Sequence, residues 1–342
     1  MSATKRTKTS HPTVIDVAQL AGVSKSTVSR VLQGNGASVK ASTERAVWQA
    51  IHTLGYAPNA VARSMRTDRT FMVMLITPDI TNPFWPEVAR GVQDTVEHAG
   101  YSVVLGNSDW LRTREDLLLR TARNNRSDGI AINPSAISED DLKQLGIPVV
   151  VLGLRKEFTD FDMVGSDSYA GILTALEHLY SLGHRRIGFV HGRHITDAQA
   201  RLQGYLDFLQ QHDLPYDADL VVHTPFELAA GKEAAITLLQ RANRPTAIFA
   251  SNDMLAIGVL QGARRLGVAV PAALSVVGMD DIYSAAMTTP PLTTVAKAKY
   301  DTGVAAATCL LERIAGTAPS AGRRVAIGCK LVVRETTAPA HQ

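Results

Sequence analysis

The stretch Thr13-Val14-Ile15-Asp16-Val17-Ala18-Gln19-Leu20-Ala21-Gly22-Val23-Ser24-Lys25-Ser26-Thr27-Val28-Ser29-Arg30-Val31-Leu32 reads as two short helices around a tight turn. Thr13 and Asp16 have capping-box spacing, with Asp in place of Glu, so a first helix is expected to start here. Gly22 stops it, because glycine tolerates the left-handed conformation at a helix C-terminus. Ser24 offers a hydroxyl to cap a second helix, from Lys25 to about Leu32. Ala18 and Gly22 are small where the two helices must approach closely. Val17, Leu20, Val23, Val28 and Val31 are expected to form a small core with Val47, Ile51 and Leu54. Lys25, Ser26, Thr27, Ser29 and Arg30 then remain polar, near the start and along one face of the second helix. Arg can read guanine through two hydrogen bonds, and Ser or Thr can bond phosphate or base edges. This is the pattern of a helix-turn-helix whose second helix enters a major groove. The same spacing also suits a structural helix pair with a solvated face, so it has to be weighed with the rest of the chain.

Working outward, a third helix is expected from about Ser42 to Leu54, stopped by Gly55. Gly34-Asn35-Gly36 reads as a turn before it. Pro58 and Asn59 start a short fourth segment, Ala60 to about Met65. Charge follows this division. Residues 1–70 hold 10 Lys+Arg and 3 Asp+Glu, a net +7; the remainder of the chain's 35 basic and 32 acidic residues is 25 and 29, a net −4. A basic head on a mildly acidic body points to a nucleic-acid contact confined to the head.

At 342 residues the chain is too long for one compact core and suits two or three domains. Its 45% hydrophobic and 20% charged residues argue against a disordered or fibrous chain. No apolar run approaches the roughly 18 to 20 residues of a membrane span, and Met1 to Thr13 lack an apolar h-region. Membrane and exported readings therefore fall away and a cytoplasmic protein is expected. Cys309 and Cys329 alone supply neither a disulfide framework nor a thiolate metal site.

From Phe71 the pattern changes to short apolar runs alternating with amphipathic stretches. Strands are expected at Phe71–Ile76, Tyr101–Leu105, Gly129–Ile132, Val149–Leu152, Ile187–Val190, Ala247–Ala250 and Ser275–Gly278. Helices are expected between them, at about Pro86–Ala99, Tyr169–Leu182, Ala198–His212, Leu228–Arg241 and Asp253–Leu266. Such β–α alternation implies doubly wound parallel sheets covered by helices on both faces. Its length exceeds one such domain, so two lobes with a cleft between them are expected. The expected fold is thus a small all-α helix-turn-helix head plus an α/β body of two doubly wound parallel-sheet lobes. The divisions are 1–56 for the head, 57–70 for a hinge helix and linker, and 71–342 for the body. Within the body, lobe 1 takes about 71–165 and 298–325, and lobe 2 about 166–297 and 326–342.

Val14 to Leu32 resembles the N-terminal signature of the lactose-repressor family of bacterial transcription factors. Leu54-Gly55-Tyr56-Ala57-Pro58-Asn59-Ala60-Val61-Ala62-Arg63-Ser64-Met65 resembles that family's hinge. Pro78-Asp79-Ile80-Thr81-Asn82-Pro83-Phe84, Leu182-Gly183-His184-Arg185-Arg186-Ile187, Ser251-Asn252-Asp253, Ser275 to Asp281, Pro291 to Val295 and Val333 to Pro339 are similar to further family motifs, in order along nearly the whole chain. The resemblance implies a dimeric or tetrameric repressor with a periplasmic-binding-protein-like body. It places Lys25, Ser26 and Arg30 against bases, and Asn59, Ala62, Arg63, Met65 and Arg66 in a minor-groove hinge. Family members typically carry Leu where this chain has Met65, the apolar wedge that unstacks a base step; unbranched Met can still wedge. Where the family often has Ser to cap the third helix, this chain has Lys40, and Ser42 or Thr43 is expected to cap slightly later.

Sugars call for acidic and amide groups plus an aromatic face; anionic ligands or nucleobases call for Arg, amides and stacking. By chemistry and by family position the expected effector contacts are Phe84, Trp85, Arg201, Phe226, Asn252 and Asp280. Gly153 stands where some family members place an acidic residue, so Arg155 or Asp109 is expected to contribute instead. Arg155 and Arg193 raise the chance of an acidic sugar weakly. A neutral sugar is the first expectation, with a purine or nucleoside behind it.

Other classes fit less well. An exported sugar-binding protein would need a signal peptide and no helix-turn-helix. An enzyme would need a site that is not visible: no G-x-x-x-x-G-K-[ST] loop is present and no G-x-G-x-x-G follows a strand. The ten histidines show no pair at metal spacing; His191 and His194 lie near the cleft mouth and are expected to be satisfied or exposed. No catalytic residue, metal or cofactor is expected. The expected partners are double-stranded operator DNA, a sugar-like small-molecule effector and further copies of the chain, as a homodimer or homotetramer.

Overall fold

The computed structural model describes residues 12–32, 39–57, 64, 67–192 and 196–340. The chain forms two compact units, Met1–Thr70 and Phe71–Gln342.

The first unit contains α1 (Val14–Leu20), α2 (Lys25–Leu32) and α3 (Ala41–Leu54). The capping box is present: the Thr13 hydroxyl accepts from the Asp16 amide, and Asp16 Oδ2 accepts from the Thr13 amide at 2.7 Å. The chain turns at Gly22, whose φ is +65°, and the Val23 amide donates to the Ala18 carbonyl at 3.0 Å. Ser24 Oγ then accepts from the Thr27 amide at 3.2 Å, capping α2. Val17, Ala18, Val28, Val31, Val47, Ala50 and Ile51 are buried together, with Val23 and Leu54 partly buried against them.

Two expectations for this unit are corrected. Leu20 is 52% exposed and stands outside the core. The packed stripe of α1 runs Val14, Val17, Ala18 and Ala21, and at 3.6 residues per turn Leu20 falls about 100° away from its centre. Nor do Ser42 and Thr43 cap α3, which already starts at Ala41 with no side-chain cap. The Thr43 and Glu44 amides donate to the Lys40 carbonyl at 2.9 and 3.0 Å, so both hydroxyl residues lie inside the first turn, too late to precede it. The Gly34-Asn35-Gly36 turn, the expected fourth segment apart from Ser64, and the hinge residues Asn59, Ala62, Arg63, Met65 and Arg66 lie outside the described residues.

The second unit carries β1 (Met72–Thr77), β2 (Ser102–Asn107), β3 (Gly129–Ile132), β4 (Val149–Leu152), β5 (Asp162–Ser166), β6 (Ile187–Gly192), β7 (Val221–Thr224), β8 (Ala247–Ala250), β9 (Ser275–Asp280), β10 (Thr293–Lys297), β11 (Arg324–Ile327) and β12 (Cys329–Val332). They make two six-stranded sheets, ordered β11-β5-β4-β3-β1-β2 and β12-β10-β9-β8-β6-β7. All pairings are parallel except that of β12 with β10. The helices are α4 (Phe84–His98), α5 (Arg112–Asn124), α6 (Glu139–Lys143), α7 (Ser168–Ser181), α8 (Thr196–Gln211), α9 (Leu228–Leu239), α10 (Asp253–Arg265) and α11 (Lys299–Ala315). The two-lobed α/β body is therefore as the periodicity implies. The strand edges shift: β1 starts one residue later, after Phe71 at φ +56°, β2 starts at Ser102, and β6 and β9 run on to Gly192 and Asp280.

The chain passes between the sheets after β5, after β10 and at Gly328, so α11 and β11 return to the first sheet. Two features hold that return. Gly91 of α4 and Gly303 of α11 face each other; a methyl group at either would collide with the opposite backbone, at Tyr300 O and Val88 O, so the helices pack backbone to backbone. Asp162, fully buried at the start of β5, accepts from Arg313 Nη2 at 2.7 Å and Arg323 Nη2 at 2.8 Å. Burial pushes this carboxyl up, but the hydrogen bonds from Arg313 and Arg323 outweigh it and hold it well below the ordinary Asp range.

Candidate ligand cleft and nucleic-acid interface

In the first unit, α2 presents Lys25, Ser26 and Arg30 exposed, with Thr27 and Ser29 half-buried, while Val28 and Val31 turn into the core. Ser24 Oγ lies 2.8 Å from both Ser26 Oγ and Thr27 Oγ1, so hydroxyls cluster at the helix N-terminus. Amides there attract anions, and the cationic and hydroxyl side chains beside them suit phosphate and base edges.

In the second unit, a cleft opens beyond the C-terminal ends of the strands, where open parallel sheets collect ligands. Asn82, Phe84, Trp85, Trp110, Asn133, Leu152, Gly153, Gly165, Ser166, Arg201, Phe226, Asn252, Asp280, Lys297 and Thr302 line it. All six residues expected there are brought together. Phe84 and Trp85, opening α4, meet edge to face with centroids 5.0 Å apart. Phe226, just after β7, stacks on Trp110 at 6.2 Å and 21°, and the Arg201 guanidinium lies 6.0 Å from its ring centre. Arg201 Nη1 donates to the Ser251 carbonyl at 3.0 Å, which fixes the guanidinium from behind. Asn252 caps α10, its Oδ1 accepting from the Leu255 amide at 2.9 Å.

Asp280 ends β9 with φ +118°, and Asp281 follows at φ +54°, two residues in a region that normally favours glycine. Their turn is held from three sides. Lys299 Nζ donates to the Asp280 and Asp281 carbonyls at 3.0 and 2.6 Å. Arg334 Nη2 meets Asp281 Oδ1 at 2.6 Å, and the Ile282 amide donates to buried Asp253 Oδ2 at 2.8 Å. Burial, then the nearby Asp280 charge, push the Asp253 carboxyl well above its ordinary range. Asp280 lines the cleft from this turn.

Sequence reasoning missed Asn133, Ser166, Lys297 and Trp110. Asn133 Nδ2 donates to the Leu152 carbonyl at 2.6 Å, yet its buried Oδ1 has no hydrogen-bond partner, and neither has buried Ser166 Oγ. Ser166 and Lys297 end β5 and β10, which do not read as strands in the sequence; Asn133 directly follows β3, and Trp110 lies in the turn between β2 and α5.

Two substitutes expected for a side chain at Gly153 do not reach the cleft. Arg155 is buried away from it, bonding the Pro134 carbonyl and Glu157 and lying 5.0 Å over the Phe158 ring. Asp109 pairs with Arg114 instead. Gly153 itself takes φ +109°, and a methyl group on Gly165 would sit 2.9 Å from the Gly153 Cα, so the cleft floor here is bare backbone. His191 is buried with Nδ1 3.1 Å from His223 Nδ1 and does not line the cleft; Arg193 and His194 lie outside the described residues.

Residues 13–59 match the bacterial regulatory proteins of the lacI family, and residues 176–337 match a periplasmic binding protein-like domain. The HTH-type transcriptional regulator DegA of Bacillus subtilis is 34% identical over 338 residues, covering 96% of this chain and 98% of that protein. Among solved structures, the transcriptional regulator CelR in complex with cellobiose is 31% identical, covers 95% of this chain and 99% of its own, and superposes with a TM-score of 0.72. The lac repressor dimer bound to operator and an anti-inducer is 25% identical, covers 96% and 100%, and has a TM-score of 0.84.

Proposed function

The chain belongs to the lacI family of bacterial regulatory proteins, and on that footing we propose that it is a DNA-binding transcriptional repressor whose operator affinity is modulated by a small polar effector held in the cleft. The observation that carries this reading is the exposed face of α2, where Lys25, Ser26 and Arg30 stand over a core that fixes the helix pair. Thr27 and Ser29 join them as major-groove contacts, and Asn59, Ala62, Arg63, Met65 and Arg66 serve as the minor-groove hinge, Met65 wedging between base steps. Residues 1–56 form the reading head, 57–70 the hinge, and 71–342 the effector-binding and dimerisation body.

The effector contacts are Phe84, Trp85, Arg201, Phe226, Asn252 and Asp280, and a sugar or sugar derivative suits them better than a purine or nucleoside. CelR, a relative, binds cellobiose. The chain acts as a homodimer: Tyr283 and Met287 are 78% and 65% exposed on the body, apolar area that a second copy would cover. Its relatives named above are transcriptional regulators, and this chain is read as a non-enzyme like them. Among the described residues no helix is long and apolar enough to cross a membrane; the protein works in the cytoplasm, where its operator is.

Selection of binding sites from a random duplex library tests the reading. A two-fold symmetric site should be enriched, with affinity that falls steeply as salt rises. No enriched site, or a flat salt response, overturns it.

A further inference from the structure

We propose that the first lobe carries a second ligand site, a cavity of about 270 Å³ between α4 and the edge strand β2, which takes a small uncharged phenol or aryl alcohol. The site is separate from the effector cleft and does not depend on what the cleft holds. β2 is the outer strand of the first sheet. Leu105 on it and Ile80 in the turn before α4 are 43% and 44% exposed. That turn is held against the strand end by the Ile80 amide, which donates to Asn107 Oδ1 at 2.8 Å. Opposite them, Trp85, Ala89 and Gln93 follow one another a turn apart along α4 and line the cavity, while Val88 and Val92 turn into the core. Trp85 lines both this cavity and the cleft, so the two spaces share one indole as a wall.

The ligand class follows from the polar atoms. Thr77 ends β1 and borders the cavity; it is fully buried, and its Oγ1 has no hydrogen-bond partner. A buried hydroxyl left unpaired costs free energy that a ligand hydroxyl recovers, by donating or by accepting. The polar side chains at the rim make no such demand. Arg90 Nε donates to both carboxylate oxygens of Asp94, at 2.8 and 2.9 Å, and Gln93 Nε2 donates to Glu97 Oε1 at 2.7 Å. Arg90 is the one charged residue among the described lining residues and is already balanced, so the site calls for no charge on its ligand. The other walls are apolar, and a single aromatic ring fills them at a low cost in conformational freedom. The volume lies just under the roughly 300 Å³ at the small end of ligand pockets, which suits one substituted ring.

The test is fluorine NMR of the full chain with 4-fluorophenol, beside 1,4-difluorobenzene, which has the same ring and no hydroxyl. 4-Fluorophenol should bind with a Kd of about 1 mM or tighter, and about fivefold more tightly than 1,4-difluorobenzene. Thr77→Val keeps the shape of the side chain and should remove that difference, whereas Thr77→Ser keeps the hydroxyl and should retain it. Ala89→Leu fills the cavity and should abolish binding of both compounds. The wild-type comparison stands even where a variant does not fold. Absence of 4-fluorophenol binding, equal binding of the two compounds, or a preference that survives Thr77→Val overturns the proposal. So does binding untouched by Ala89→Leu in a folded variant, which puts the phenol elsewhere, in the cleft or on the surface. Binding lost as the chain self-associates, followed by sedimentation, also overturns it, because a second copy then covers Ile80 and Leu105 instead.

Discussion

In the head, Lys25, Ser26 and Arg30 stand in water over a core of small apolar side chains, while in the body Arg201, Asn252, Asp280 and Lys297 are no more than 6% exposed. Exposed polar groups are already solvated, so they contribute little to folding and are free to exchange water for phosphate and base edges. Buried ones must be satisfied within the fold or by a ligand, so in the cleft stability and binding share residues. Asn252 shows this: the same side chain caps α10 and lines the cleft.

The largest expected effect tests the buried side of the contrast. Asp162→Asn takes the Asp162 charge from Arg313 and leaves Arg323 with Glu312 alone, and should destabilise the body by about 3 kcal/mol, near the low end for broken buried pairs because both guanidinium groups keep some solvent access. Urea unfolding checks it. Because the native Asp162 carboxyl is held below its ordinary value, its contribution is fully present above the unfolded pKa of about 3.9 and is lost as pH falls below that. The variant should therefore lose less stability than the wild type on acidification through that window. An equal acid response would remove the ion pair from the account.

Arg30→Ala comes next and tests the exposed side. Operator affinity should fall by about 1–3 kcal/mol with relaxed preference at one base position, while the melting temperature stays within a degree or two. A marked drop in melting temperature would mean that the exposed face carries structure as well as recognition. Asn252→Ala should cost about 1 kcal/mol of stability through the lost cap and weaken effector binding together; stability lost with binding intact would separate the two roles. Smallest of all, Leu20→Ser should change stability by no more than about 0.5 kcal/mol, since Leu20 is 52% exposed. A cost of several kcal/mol would restore it to the core.

Much of the head was legible because its signals are local. Thr13 with Asp16, Gly22 and Ser24 act within one turn of their own position. The nearly continuous apolar strands β3, β4 and β8 were legible for a similar reason, being buried along their whole length. β5 was not. Asp162-Met163-Val164-Gly165-Ser166 opens on a charge and contains a glycine, so it reads as a loop. It is a buried strand because Arg313 and Arg323, 151 and 161 residues later, neutralise Asp162. With β5 and β10 unread, Ser166 and Lys297 had no strand end to mark them. Arg155 failed in the other direction: its charge suggested the cleft, but the chain beyond Gly153 carries it to the Pro134 carbonyl.

Caps, turn glycines, the apolar stripe of α2 and the β–α rhythm are set by side chains a few positions apart, so the amino-acid order alone determines a helix-turn-helix head and a two-lobed α/β body. The cleft is different in kind. Its lining runs from Asn82 to Thr302, and those residues meet only because the strands are shuffled within each sheet and the chain passes between the sheets at three points. Which polar atoms are left unsatisfied there depends on what long-range folding places beside them, a quantity no local pattern encodes.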